Sequence, residues 1–298
     1  MILLTGASGF IGKKILEELI ITYGKENVVA LTSKPIDNIH FLLHNDYHLD
    51  SDFFTKNLPS NKIETIIHAG AFIPKDNSQA NDIEKCNSNI YSLQNLLSCN
   101  FPSLKKIIYL SSIDVYDVNV KIIAEDTSTA PVSLYGFSKL YGEAMISKWA
   151  ISKNITYQIL RIGHVYGPGE EFFKKIIPIT IKKILKKEDL QIWGTGNEIR
   201  SFINVGDVVK AILKSINLKQ SNDVINVVGS QQITITELVN TLLEISNANL
   251  NIEIVPQPQK GKDYIFDNTK MKELLLPEEL PLLEGLQKEF YYMANITL

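Results

Sequence analysis

The chain has 298 residues, 45% hydrophobic and 21% charged, and 30 basic against 33 acidic residues leave a formal net charge of −3. That length suits one large α/β domain or a core domain with a smaller partner, and the charge excludes a generally basic nucleic-acid binder. No low-complexity tract, no apolar run near the roughly 18–20 residues a bilayer requires, and no leader-like amino terminus is present, so neither disorder nor a membrane is expected. Cys86 and Cys99 are too few for a disulfide framework, which points to a reducing, cytoplasmic setting. In chain order, residues 2–5 read as a strand, followed by a glycine-rich turn, a helix over 10–23 and a strand over 28–32. Strands over 65–69, 106–111 and 156–162 then alternate with helices over 82–98 and 134–152, the pattern of a doubly wound parallel α/β sheet. Beyond the Gly167-Pro168-Gly169 break, helices are expected over 172–187, 207–215 and 236–246. Extended segments are expected within 191–200 and over 200–205 and 252–255. The expected division is a dinucleotide-binding domain over 1–169, to which 200–228 returns, and a smaller substrate lobe from 170–199 and 229–298.

The turn Thr5-Gly6-Ala7-Ser8-Gly9-Phe10-Ile11-Gly12 sits between a strand and a helix, the setting a phosphate-binding turn needs. Gly6 allows a tight turn, Gly9 lets backbone approach a pyrophosphate, and Gly12 permits close helix–strand packing. The free N–H groups around Ser8, Phe10 and Ile11, with the positive end of the helix dipole, favour an anion. The second strand ends Thr32-Ser33-Lys34, with no carboxylate before Asp37. Hydroxyls and an ammonium suit a ribose 2′-phosphate, so NADP(H) is preferred over NAD(H). The alternative is a solvated Lys34, with NAD held through backbone.

Tyr135 and Lys139 stand four apart on one helical face, and Ser111-Ser112 ends the preceding strand, where α/β sites collect. In 298 residues with 12 tyrosines and abundant lysine, such a pair arises by chance about once, so its weight comes from this company. A nearby ammonium and a nicotinamide ribose are expected to lower the pKa of Tyr135, making it the acid/base, while Ser112 holds the reacting oxygen. Only two of the 30 basic residues are arginine, Arg161 and Arg200, which marks both as candidates for specific roles.

Over nearly its whole length the sequence resembles the extended short-chain dehydrogenase/reductases, in the branch of nucleotide-sugar epimerases, dehydratases and ketoreductases. The turn, His68-Ala69-Gly70-Ala71, Asn89, Ser111 to Tyr116, Tyr135 to Lys139, Arg161 to Gly169 and Arg200 to Val208 carry the resemblance in order. It implies a Rossmann fold, an NAD(P) cofactor, a nucleotide-sugar substrate and a homodimer formed through the helices near Asn89 and Tyr135. It further implies that Ala69, Gly70, Ala71 and Ser111 line the cofactor, that Leu49-Asp50 packs beside the adenine, and that Arg200 clamps the substrate diphosphate. Lys260-Gly261-Lys262-Asp263 resembles a late substrate-side loop, which makes Asp263 a candidate contact.

Departures from the family pattern bear on the reaction. His164 stands where relatives often have asparagine, and Gly206-Asp207 where an acidic pair is usual. Asp114 occupies the position of the 4,6-dehydratases' catalytic glutamate, but Ile113 replaces the acid before it, so dehydration has thin support. His40, His44 and His48 recur every four residues, yet Asn45 and Asp46 break the apolar period, and loop histidines are favoured over a metal site. The Lys182 to Lys187 run reads as the wet face of a helix. The sequence thus predicts hydride transfer at a ring carbon, C4, of a nucleotide-linked hexose, leaning to a 4-keto-sugar reductase. A 4-epimerase with tightly bound NAD is the close alternative, and a 4,6-dehydratase or a non-catalytic dinucleotide sensor the remoter ones.

Overall fold

Strands covered on both faces need apolar side chains on both, and four consecutive residues of β1 (Ile2–Thr5) and five of β2 (Val28–Thr32) are all buried. The computed structural model describes every residue except 38, 45–50, 77, 118, 220–221, 258–260 and 298. After β1 come α1 (Phe10–Tyr23) and β2, then β3 (His40–Leu43), α2 (Ser51–Asn57), β4 (Thr65–His68), α3 (Ile83–Ser98), β5 (Lys106–Ser112), α4 (Leu134–Ser152) and β6 (Thr156–Ile162). The chain then makes β7 (His164–Tyr166), α5 (Ile176–Leu185), β8 (Leu190–Trp193), β9 (Ile199–Asn204), α6 (Val205–Ile216) and β10 (Asp223–Val227). It ends with β11 (Gln232–Thr234), α7 (Ile235–Ser246), β12 (Ile252–Val255), α8 (Thr269–Leu274) and α9 (Leu282–Thr297).

Seven strands form one parallel sheet in the order β10-β6-β5-β4-β1-β2-β3. The order reverses between β1 and β4, so a crevice opens beyond their carboxyl ends, where doubly wound folds bind ligands. One face packs on α1 and α6 through Leu4, Leu19, Ile108 and Ile212, the other on α3 and α4 through Ile66, Leu93, Ile107 and Ile146. A separate core of Ile181, Leu190, Leu238 and Leu286 joins α5, α7 and α9. Small sheets, β11-β9-β7 and β12-β8, complete this second lobe.

Lys106 is buried at the start of β5, and its ammonium donates to the carbonyls of Ser215 at 3.1 Å, Ile216 at 3.0 Å and Leu218 at 2.7 Å. Lys106 thus adds a cationic donor to the carbonyl end of α6, where the Ser215 carbonyl also takes the Leu218 N–H at 3.3 Å, and caps the helix from a strand 109 positions away in the chain. Two expectations change. The helix expected over 172–187 begins at Ile176, because Lys175 is its extended N-cap. His40 belongs to β3 rather than a loop, His44 lies just beyond that strand, and His48 lies outside the described residues.

Candidate active site

The glycine turn is dictated by crowding. Gly6 has φ +70°, and a Cβ there would sit 2.6 Å from Gly70 backbone; one at Gly12 would sit 2.0 Å from the Gly6 carbonyl oxygen. Thr5 Oγ1 accepts from the Gly70 N–H at 2.9 Å and bonds His68 Nδ1 at 2.9 Å, tying the ends of β1 and β4 together. Burial, then the charge of Lys139, holds His68 near pKa 3, so this link is neutral. Gly9 caps α1 with no side-chain hydrogen bond and no acidic residue in the first turn. Gly9 to Gly12 line the crevice, so the N–H groups of that helix start present it with a partial positive charge suited to an anion.

The crevice is one cleft of about 1050 Å³, roomy enough for a dinucleotide with a second ligand. Gly6, Ser8, Gly9, Phe10, Ile11 and Gly12 line it, as do Ala69 and Ala71, whereas Gly70 spends its N–H on Thr5. At the outer end Ser33 and Lys34 are exposed to the cleft, and Ser8 Oγ meets Ser33 Oγ at 3.0 Å. Thr32 differs from expectation. Fully buried, it donates to the Lys34 carbonyl at 2.8 Å and accepts the Lys34 N–H at 3.1 Å, so it shapes the turn and offers a ligand nothing. Leu49 and Asp50 lie outside the described residues.

At the centre, β5 delivers Ser112 beside the first turns of α4, whose N-cap Ser133 accepts from the Gly136 N–H at 3.1 Å. Ser112, Tyr135 and Lys139 all line the cleft and are 5–8% exposed. Lys139 Nζ donates to the Leu110 carbonyl at 2.8 Å and lies 6.0 Å from the Tyr135 ring centroid. Burial pulls the Lys139 ammonium down to about 8, with Glu143 opposing. Burial and the Asp114 charge push the Tyr135 phenol above its ordinary value, against a hydrogen bond with Ser112. The expected lowering of Tyr135 is thus reversed in the protein alone, because desolvation and the Asp114 charge outweigh the Ser112 hydrogen bond. Tyr135 stands as a phenol, a proton donor.

Beneath this triad, Ser111 donates its hydroxyl to Glu143 Oε1 at 2.5 Å and so serves the floor of the site. Arg161 grips the same carboxylate with Nε at 2.9 Å and Nη2 at 2.8 Å, both side chains 7% exposed, and stacks on Tyr116 at 4.5 Å. Of the two arginines, Arg161 is structural. Asn89 Oδ1 accepts the Phe72 N–H at 2.7 Å, and its amide donates to Ser138 at 3.2 Å, fixing α4 to α3 and to the loop after β4.

The far wall comes from the second lobe. Arg200 and His164 line the cleft, with Tyr264 between them; the guanidinium lies 4.8 Å from the Tyr264 ring and His164 packs edge-on to it at 5.3 Å. His164 is held near pKa 3 by burial and by the charges of Arg200 and Lys175, and its buried Nδ1 has no hydrogen-bond partner among the described residues. Asp114 opens onto the cleft, and Ser112 donates to its Oδ2 at 3.0 Å. Asp263 does not line the cleft: its carboxylate accepts the Ile199 N–H at 2.9 Å and braces the loop whose Lys262 carbonyl binds Arg200 at 2.6 Å. Lys175 and Tyr264 went unpredicted. Lys175 is one of many lysines in the sequence, and only the fold places it over the Phe10 and Phe173 rings at 5.8 and 4.7 Å, bonded to the Val165 carbonyl.

Behind Lys175 sit two buried carboxyl groups. Glu170 and Glu289 are 1% and 0% exposed, Lys175 pairs with Glu170 at 3.2 Å, and among the described residues neither Glu289 carboxyl oxygen finds a hydrogen-bond donor. Burial raises Glu170 to about 7, and burial with the Glu170 charge raises Glu289 to about 8. A carboxyl raised in the folded state binds its proton more tightly there. Its stabilisation is complete below the unfolded value and is lost as pH climbs through 7 and 8. Thermal unfolding should therefore show a fall of a few kcal/mol between pH 6 and 9, and Glu289→Gln should flatten it; an unchanged slope would contradict this account.

The sequence profile of the NAD dependent epimerase/dehydratase family matches residues 2–228. The chain belongs to this family. A putative UDP-glucose 4-epimerase of Methanocaldococcus jannaschii is 30% identical over 306 residues, covering 99% of each chain. A dTDP-4-dehydro-6-deoxy-D-allose reductase of a Streptomyces species is 27% identical, over 96% of this chain and 94% of its own. Among solved structures, the UDP-glucose 4-epimerase of Thermotoga maritima with UDP-glucose superimposes with a TM-score of 0.88 at 25% identity, covering 100% of this chain and 99% of its own. As in its family, the chain is an extended short-chain dehydrogenase/reductase enzyme with the Rossmann architecture. Among the described residues no helix is long and apolar enough to cross a membrane, and no cluster of His, Cys, Asp or Glu could hold a metal.

Proposed function

We propose that the enzyme transfers a hydride at C4 of a nucleotide-linked hexose, prefers NADP(H), and works as a 4-keto-sugar reductase. The observation that carries the chemistry is the convergence of Ser112, Tyr135 and Lys139 on one cleft with the glycine turn. A dinucleotide fits that cradle: the start of α1 is uncapped, and a Cβ at Gly9 would meet only the Gly6 oxygen at 3.2 Å, which leaves room for a pyrophosphate. When bound, the nicotinamide supplies the hydride. Ser112 and Tyr135 hold the carbonyl oxygen, and Tyr135 gives it a proton as the C–H bond forms, leaving an alcohol and a phenolate that the Lys139 ammonium steadies. Arg200, and Lys175 across the cleft, neutralise the substrate diphosphate. His164 contacts the substrate between them. In the same reading, 1–169, to which 200–228 returns, holds the cofactor, and 170–199 with 229–298 holds the sugar nucleotide.

Support for the phosphorylated cofactor lies in Ser33 and Lys34, exposed at the outer end of the cleft with no carboxylate lining beside them among the described residues. Lys34→Ala should raise the KM for NADPH by about 10- to 150-fold and leave that for NADH nearly unchanged, since a charge-assisted contact contributes about 1.5–3 kcal/mol. A 4-epimerase with retained NAD is the second reading, favoured by the epimerases among the relatives. Acid release of the nucleotide from purified protein decides: stoichiometric NAD would overturn the reductase. A second copy is proposed to cover the exposed Ile83, Tyr91, Phe137 and Tyr141 on α3 and α4, tested by whether the solution mass is twice 33.6 kDa.

A further inference from the structure

Lys175 connects the open cleft to a closed interior. Its side chain is 41% exposed, whereas that of Glu170, its partner at 3.2 Å, is 1% exposed. The ammonium also donates to the Val165 carbonyl at 3.0 Å, which leaves one N–H for the cleft it lines. Glu289, on α9, is fully buried within reach of the Glu170 charge, and neither of its oxygens has a hydrogen-bond donor among the described residues. The groups packed around the pair add no second cation. The segment after β7 supplies Glu171 and the Gly167 N–H, β7 the Tyr166 hydroxyl, α6 Asp207, and α9 itself Tyr292. Lys182 on α5 bonds the Glu171 carbonyl, and Lys210 is engaged by Asp207 at 2.9 Å. Two carboxyls therefore share one ammonium away from solvent. Full ionisation would leave a negative charge uncompensated there, so the pair retains a proton at neutral pH.

We infer that Glu170 and Glu289 form a proton reservoir behind Lys175, which takes up a proton from solvent when a nucleotide sugar enters the cleft. The inference rests on the proposal that Lys175 meets the substrate diphosphate. The step moves one proton and no electrons: a carboxylate oxygen of the pair becomes a hydroxyl, and the ammonium keeps its three protons. In the empty cleft the Lys175 charge offsets an ionised Glu170. A diphosphate brings two negative charges to the open side of that ammonium and competes for it. The carboxylate behind loses part of its stabilisation and holds a proton more tightly. Burial already brings Glu170 to about 7, and burial with the Glu170 charge brings Glu289 to about 8, so a modest change in the field alters the pair's occupancy near neutrality. Glu289 does not line the cleft and is a positioning residue: it sets how much of the Lys175 charge the substrate can use.

The test is calorimetry of the cofactor-loaded enzyme with UDP-glucose and dTDP-glucose, each titrated in two buffers of unequal protonation heat. Near pH 7.5, binding should take up about 0.3–0.6 proton per site, the amount that a tenfold tighter hold on a proton produces near its midpoint. Affinity should weaken about fivefold from roughly pH 6 to 8.5 by the same linkage. In Glu289→Gln, and in Glu289→Leu as a second neutral replacement, Glu170 keeps Lys175 to itself and stays ionised. Uptake should then fall below about 0.1 proton and the affinity should lose its pH dependence. Lys139 also lines the cleft and titrates near 8, but both variants leave it untouched, so the difference assigns the proton. No uptake in the unaltered protein, equal uptake in the variants, or loss of binding in both variants would overturn the reservoir while leaving the nucleotide-sugar reading intact. Failure of both compounds to bind the unaltered protein would instead remove that reading, and the reservoir with it.

Discussion

Replacing Tyr135 with phenylalanine is expected to cut turnover by about 10²–10⁴-fold while changing cofactor affinity little. The variant keeps the ring against Lys139, 6.0 Å from its ammonium, and removes only the hydroxyl. Without that hydroxyl the developing alkoxide finds Ser112 as a hydrogen-bond donor but no acid of suitable strength. Lys139, drawn down to about 8, is fixed to the Leu110 carbonyl and cannot reach over the ring. Because burial keeps Tyr135 protonated in the protein alone, reduction should proceed without a tyrosine-linked fall between pH 6 and 8. Steady-state kinetics with a 4-keto sugar nucleotide checks both statements. Full turnover in Tyr135→Phe would remove the proposed acid and favour a non-catalytic dinucleotide sensor.

The largest stability effect is expected at the floor of the site. Glu143→Ala should destabilise the protein by about 3–5 kcal/mol, because it strands the Arg161 guanidinium in a buried place with its fork unmet. The loss should lower the melting temperature by roughly 10 °C. Ser111 would lose its acceptor as well, so the end of β5, which carries Ser112, would loosen. Removing both charges, as in Glu143→Ala with Arg161→Met, should cost less than Glu143→Ala alone, the sign that an isolated buried charge is the main penalty. A melting shift under 3 °C for Glu143→Ala would contradict the assignment.

Much of the sheet and the heart of the site were legible in the sequence. Parallel strands covered on both faces read as short, largely apolar runs, so 2–5 and 28–32 stand at the expected residues, as does 156–162 despite Gln158 and Arg161. The Tyr135–Lys139 helix likewise spans the expected 134–152. Composition alone could not show which way a side chain turns within such a run. Thr32 reads like Ser33 yet faces inward, and Asp263 reads like a ligand contact yet holds a loop. The late elements hide for a different reason. Leu282, Leu286, Phe290 and Met293 form a helical stripe in α9, but Gly285 and the prolines at 277 and 281 resemble breakers. Gly285 is there because a Cβ would strike the Tyr166 hydroxyl at 1.9 Å, a demand only the folded chain reveals. At the edge of the sheet, β10 carries the polar Asp223 and Asn226, which disguise it as a loop.

The position of β10 governs how the gene can be cut. Its five residues zip onto β6 in register from Asp223↔Gln158 to Val227↔Ile162, although more than sixty positions separate the partners. A fragment stopped at 169 would leave that flank of β6 as an open, sticky border, inviting pairing between fragments. During synthesis the ribosome must release the whole excursion through the second lobe before the border is sealed. Separate expression of the halves should give insoluble material, whereas a circular permutant opened elsewhere keeps the seam intact.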